Sequence, residues 1–138
     1  MLLLWITFGL LAVAAGFDLH SRQIPHTITG MVFGLGLAAT GFGWNGISWL
    51  EMSLGILMGF VAGLGLYQLG GLAGGDVKLI GALGAVLGWR AELGVLFYMA
   101  IFGGFLALIA RWRKEREYAY GPAIALGMLA YIVRGYWR

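Results

Sequence analysis

The chain contains no cysteine. That absence excludes disulfides, thiolate metal sites and a cysteine nucleophile. Charge is almost as scarce. Only 11% of the 138 residues are charged, whereas 61% are hydrophobic, and the mean hydropathy is strongly positive. Six membrane-crossing helices of about 20 residues would use ~120 residues, which leaves almost no chain for a water-soluble domain. The composition therefore predicts one all-α integral membrane domain over residues 1–138. The 25 glycines fit this reading. Each would cost roughly 1 kcal/mol against alanine in a soluble helix, but in lipid small residues let helices approach closely.

Net charge is +3, yet the basic residues gather beside a hydrophobic run, where they orient the chain in a membrane. Nucleic-acid binding is not expected. The first run contains Ala12-Val-Ala14, which resembles a signal-peptide cleavage site. No Lys or Arg precedes it and further hydrophobic runs follow, so it reads as a first transmembrane helix.

Hydropathy predicts six spans, at residues 2–17, 28–42, 52–69, 77–87, 93–110 and 122–133. The loops after the first, third and fifth carry Arg22, Lys78, Arg111, Arg113, Lys114 and Arg116. The other side carries Arg90, Arg134 and Arg138. By the positive-inside rule the richer side is cytoplasmic and the N-terminus lies outside. Small residues recur every four positions, at Gly55, Gly59 and Gly63 and at Gly30, Gly34 and Ala38. Both stripes are expected to pack inside the bundle rather than to form a dimer interface. Trp44, Trp49 and Trp89 at outer ends, and Trp112, Tyr118 and Tyr120 at inner ends, read as interfacial belts.

Within this chargeless setting two aspartates stand out. Asp18 closes the first run, in Asp18-Leu-His-Ser-Arg-Gln-Ile-Pro25, and Asp76 opens the fourth, in Gly74-Gly-Asp-Val-Lys78. An ionisable residue at the edge of lipid is costly and marks a functional candidate. The charge count puts both at the cytoplasmic face although they lie 58 positions apart. Two adjoining carboxyls can share one proton and activate water. Gly74 and Gly75 permit positive φ angles and close approach of another chain, as an unwound, extended substrate would need. The competing reading of Asp76 is a helix cap. That of Asp18 is a carboxylate solvated in a polar loop or paired with Arg22. Ile24-Pro25 stops any helix there. Helix dipoles favour negative charge at an N-terminus, which favours Asp76 as base toward water and Asp18 as acid toward the scissile carbonyl, an order that the charges of Lys78 and Arg22 could reverse.

Other chemistries are less well supported. His20 and His26 with the aspartates are ordinary zinc-ligand types, but no HExxH motif accompanies them, so neither metal nor cofactor is expected. Ser21, Ser48 and Ser53 lack a glycine-framed nucleophile turn. The run Arg111-Trp-Arg-Lys-Glu-Arg116 reads as a topology anchor that also meets anionic headgroups.

At these residues the chain resembles the type IV prepilin peptidases, membrane aspartyl proteases with a Gly-x-Gly-Asp motif. The first stretch has an Asp followed six and seven positions later by Ile24-Pro25. The second is Gly74-Gly-Asp-Val-Lys-Leu-Ile-Gly-Ala-Leu-Gly84, with Ala73 standing where the family has its first glycine. The third is Gly121-Pro-Ala-Ile-Ala-Leu-Gly127. The resemblance implies that Asp18 and Asp76 are the catalytic pair, with Gly74, Gly75 and Lys78 toward substrate. It implies endoproteolysis of prepilin-like precursors at the cytoplasmic face of the inner membrane, between a short basic leader and a hydrophobic helix. His26 follows the proline where asparagine is common. Longer members carry a cysteine-containing insertion after the first helix and also methylate the product. Only residues 18–27 separate the first two runs here, so the chain resembles the minimal, Flp-pilus type without methyltransferase activity. The rival reading is a small proton-coupled transporter or assembly scaffold with the aspartates as relay. Transport sites sit near the bilayer midplane, whereas these aspartates lie at one face, which favours proteolysis.

Overall fold

The computed structural model describes residues 2–21, 24–68, 74–114 and 121–136. Arg22, Ala73, Arg116, Tyr118, Tyr120 and Arg138 lie outside the described residues. Five helices follow in order: α1 Leu2–Ser21, α2 His26–Phe42, α3 Trp49–Gln68, α4 Gly74–Trp112 and α5 Gly121–Tyr136. Among the described residues there is no strand. α1, α3 and α4 are long and apolar enough to cross a membrane, and α2 and α5 are shorter apolar helices. The protein is a helical membrane protein.

The helix count differs from the six separate runs expected. Residues 77–87 and 93–110 belong to one element, the 39-residue α4, which is broken at Gly88 (φ 75°, ψ 170°). Glycine has no Cβ and adopts this positive φ without strain. One glycine therefore replaces the expected five-residue loop, and Trp89 to Glu92 are helical. A broken helix leaves carbonyls of its last turn without intrahelical donors. Asn45, in the α2–α3 connection, supplies one: its Nδ2 donates to the Val86 carbonyl at 3.1 Å and to Thr40 Oγ1 at 3.1 Å.

That connection is closed at both ends by local hydrogen bonds. Gly43 ends α2 in the left-handed region (φ 75°). Its N–H reaches the Thr40 carbonyl and the Trp44 N–H the Ala39 carbonyl, at 3.3 and 2.8 Å, as in a glycine C-cap. Ser48 and Glu51 then form a reciprocal cap for α3. The Ser48 N–H donates to Glu51 Oε2 at 2.9 Å and the Glu51 N–H to Ser48 Oγ at 3.2 Å, which satisfies two amides that the first turn leaves open.

The interior is organised around α4, which packs on α2, α3 and α5, while α1 packs chiefly on α5. Its stretch from Val77 to Gly88 is buried except for Lys78. Gly55, Gly59 and Gly63 of α3 are buried against it, as expected. A Cβ on Gly59 would stand 2.7 Å from the Ile80 carbonyl oxygen, one on Gly63 would stand 3.2 Å from Val77 Cα, and Gly55 and Gly84 meet backbone to backbone. The helices run antiparallel, with Gly63 beside Val77 and Gly55 beside Gly84 and Gly88.

The second stripe is not where the spacing put it. Gly30 and Gly34 are exposed, and a Cβ on either would meet no neighbouring atom within 4 Å. The buried face of α2 is Ile28, Val32, Gly36 and Ala39, and a Cβ on Gly36 would stand 2.7 Å from the Ala85 carbonyl carbon. The two sets differ by two residues, about 200° around a helix of 3.6 residues per turn. Four-residue periodicity fits both faces, and the bulkier one is inside. Tryptophans gather at helix ends: Trp44 stacks on Phe42 with centroids 5.0 Å apart, and Trp49 and Trp112 are exposed.

Candidate active site

Asp18 stands in the last turn of α1 and Asp76 in the first turn of α4. Both are buried, with 4% and 2% of their surface exposed. This overturns the reading of Asp18 as a solvated loop carboxylate. The dehydrating surroundings are apolar. Ala14 and Ala15, one turn before Asp18, join Ile24, Ile28, Val77 and Ile80 in one continuous buried cluster. Both carboxyls therefore sit at the margin of the same apolar mass. Burial of a carboxyl is costly without compensation, so these positions are not what packing alone would select.

The two motifs meet through Ile24. This residue is buried six positions after Asp18, just before Pro25, which starts the turn into α2 by accepting from the Ile28 N–H at 3.1 Å. A Cβ on Gly75 would stand 3.7 Å from Ile24 Cβ. The residue next to Asp76 thus rests on the segment that follows Asp18. Ile24 and the start of α4 lie together at one end of the bundle.

The glycines beside Asp76 behave differently from expectation. Gly74 and Gly75 are the first residues of α4, not an extended strand. Positive φ occurs at Gly43, Gly46 and Gly88 among the described glycines, and not at Gly74 or Gly75. An α-helical turn carries Asp76 into the interior, and glycine is not demanded there by backbone angle. What the pair provides is room: Gly74 is exposed, and a Cβ there would meet no neighbouring atom within 4 Å. Asp76 is the third helical residue, inside the first turn rather than at the cap position before it. Lys78, two positions on, is exposed, so its ammonium sits on the outer side of the same turn.

The remaining sequence candidates separate from the aspartates. His20 and His26 are exposed, and among the described residues no three His, Asp or Glu side chains gather as a metal site would need. Ser48 is the α3 cap, and Ser53 Oγ donates to the Trp49 carbonyl at 2.8 Å.

One buried carboxyl escapes the sequence reading altogether. Glu92 is 0% exposed, and among the described residues neither of its carboxyl oxygens has a hydrogen-bond partner. It packs against the middle of α3, where a Cβ on Gly59 would stand 3.1 Å from Oε1. The expected loop at residues 88–92 hid it among solvated positions. Its signal was Gly59 itself, a small residue facing a carboxyl that needs space.

A model of the type IV leader peptidase family matches residues 5–108. The chain belongs to the type IV leader peptidase family. The matched stretch includes both aspartates, Ile24-Pro25 and the Gly75–Ile24 contact, and ends within α4; the Gly121-Pro122 opening of α5 lies beyond it. No curated protein and no solved structure gives a match. A leader peptidase family and a bundle of apolar helices together make the chain a membrane peptidase.

Proposed function

We propose that the chain is an aspartyl endopeptidase that removes the short basic leader of prepilin or pseudopilin precursors at the cytoplasmic face of the inner membrane. The observation that carries the reading is the junction of the two motifs: Gly75, next to Asp76, rests on Ile24, six residues after Asp18. Both carboxyls are buried. Buried paired carboxyls favour a shared proton, so that one acts as base while the other is an acid.

In the proposed reaction the ionised carboxylate takes a proton from water as its oxygen attacks the scissile carbonyl carbon. The protonated carboxyl donates to the carbonyl oxygen. The tetrahedral intermediate then collapses: the C–N bond breaks, the amine leaves with a proton from the carboxyl pair, and the leader carries the new carboxylate. The helix ends assign the roles, because negative charge is favoured at a helix N-terminus and disfavoured at a C-terminus. Asp76 in the first turn of α4 is the base, and Asp18 in the last turn of α1 the acid.

Gly74 supplies the open approach along which an unwound substrate reaches Asp76, and Lys78 stands at its rim. The break at Gly88 divides α4 into two stretches, 74–87 and 89–112. One domain of six spans with the N-terminus outside keeps both aspartates and the 111–116 basic run on the cytoplasmic side. The short link between α1 and α2 supports peptidase activity without methyl transfer. Co-expression with a candidate prepilin tests the reading: leader removal appears as a faster-migrating product, and an unchanged precursor beside well-inserted protein contradicts it.

A further inference from the structure

At the end of the bundle away from the aspartates, a cavity of about 330 Å³ opens between α1, α4 and α5, lined by Leu4, Arg90, Gly94, Tyr131, Ile132 and Arg134. Leu4 lies fourteen residues before Asp18 on α1, roughly 21 Å along the axis at 1.5 Å per residue. The cavity is therefore separate from the candidate active site.

Its charge is one-sided. Two arginines line it, and among the described residues neither pairs with a carboxylate. Arg90 lies over the Trp89 ring, 5.3 Å from its centroid, and Arg134 Nη1 donates to Tyr98 Oη at 3.5 Å. The nearby acids are committed elsewhere: Glu92 is buried toward Gly59 of α3, and Glu51 accepts from the Ser48 N–H. Arg90 and Gly94 are one turn apart and share a face, whereas Glu92 lies about 200° around the helix from Arg90. The cavity's other lining is apolar. Ile132 is buried, and Gly94 leaves the space in which the Tyr131 ring lies, 2.9 Å from where a Cβ would be. Leu2 and Val133, each within two residues of a lining residue, are exposed apolar side chains.

We propose that this cavity binds the phosphate headgroup of an anionic phospholipid, with Arg90 and Arg134 as its ligands and the apolar surface of α1 and α5 beside its acyl chains. The guanidinium fork matches phosphate oxygens geometrically. Two lining arginines with no carboxylate partner among the described residues leave a net positive site that an anion completes. The apolar lining and the membrane setting select a lipid over a free ion. The proposal is independent of the peptidase reading.

The test is a thermal-shift titration of the whole chain in a neutral maltoside detergent with phosphatidylglycerol, phosphatidylcholine or inorganic phosphate. Phosphatidylglycerol is expected to raise the melting midpoint most, and Arg90→Gln with Arg134→Gln to weaken its apparent affinity about tenfold or more. If the double variant does not fold, Arg134→Gln alone, which loses a single long bond to Tyr98, should still weaken binding at least about threefold. Undiminished phosphatidylglycerol affinity in a folded Arg90/Arg134 variant overturns the site. Equal shifts with phosphatidylcholine or with inorganic phosphate overturn the anionic-lipid assignment.

Discussion

Gly75 faces Ile24 across the two motifs, with Ile24 Cβ 3.7 Å from the position a Gly75 Cβ would take. This is ordinary van der Waals spacing. A methyl group therefore fits without displacing anything, while a branched side chain reaches into Ile24 and pushes the first turn of α4 away from the α1–α2 turn. Gly75→Ala should keep near-normal prepilin cleavage and stability. Gly75→Val should lower the cleavage rate several-fold with a smaller loss of stability, on the order of 1 kcal/mol. Cleavage assays and melting in detergent check both. Normal turnover by Gly75→Val would mean that the contact does not set the position of Asp76.

The two glycine stripes make opposite predictions. A Cβ on Gly84 or Gly55 falls onto the backbone of the facing helix, and one on Gly59 meets the Ile80 carbonyl oxygen at 2.7 Å. Backbone cannot move aside as a side chain can, so Gly84→Ala or Gly55→Ala should destabilise by about 1–3 kcal/mol or more. Gly30→Ala and Gly34→Ala enter open space and should leave the melting midpoint unchanged or slightly raised, since alanine is the better helix former. Equal effects at the two stripes would contradict the packing described.

Much of this was readable beforehand, and the misses have physical causes. Hydropathy located every helical run, because a lipid-facing helix must be apolar nearly all round. The α3 stripe was legible because Gly55, Gly59 and Gly63 have bulky neighbours on the other faces only. The α2 stripe was misread because Gly36 offers the same small-residue spacing from the opposite side. Gly88 was counted within a loop: a single positive-φ glycine redirects the chain as well as five loop residues would, and hydropathy cannot tell the two apart. The burial of both aspartates needed the fold, since a carboxyl at the end of an apolar run reads equally as solvated or enclosed. Gly74 and Gly75 were taken for irregular backbone, yet glycine is permitted in a helix and the turn into the core overrides its preference.

Glu92 presents a carboxyl with no hydrogen-bond partner among the described residues, packed against Gly59 of α3. An unsatisfied buried polar group costs about 1–3 kcal/mol. Glu92→Met, similar in length and flexible enough to fill the same space, should raise stability by about that amount while prepilin cleavage continues. A loss of cleavage with unchanged melting would instead assign the carboxyl a direct role.

Orientation can be read chemically. Single cysteines in place of Arg113, beyond the last helical residue of α4, and Gly46, in the α2–α3 connection, give unique labels because the chain has no other cysteine. With a membrane-impermeant maleimide on intact cells, Gly46→Cys should label and Arg113→Cys should label only after lysis. Labelling of both from outside would remove the cytoplasmic assignment of the aspartates.

The central claim is that Asp18 and Asp76 act as one catalytic pair. Its most direct test is the prepilin cleavage rate of Asp18→Asn and Asp76→Asn, each measured on protein shown to be inserted and folded. Asparagine keeps the size and removes the titrating carboxyl, so each variant should lose cleavage by at least about a thousandfold, and the double variant should be scarcely worse than either alone. Substantial processing by either folded single variant would contradict the pair.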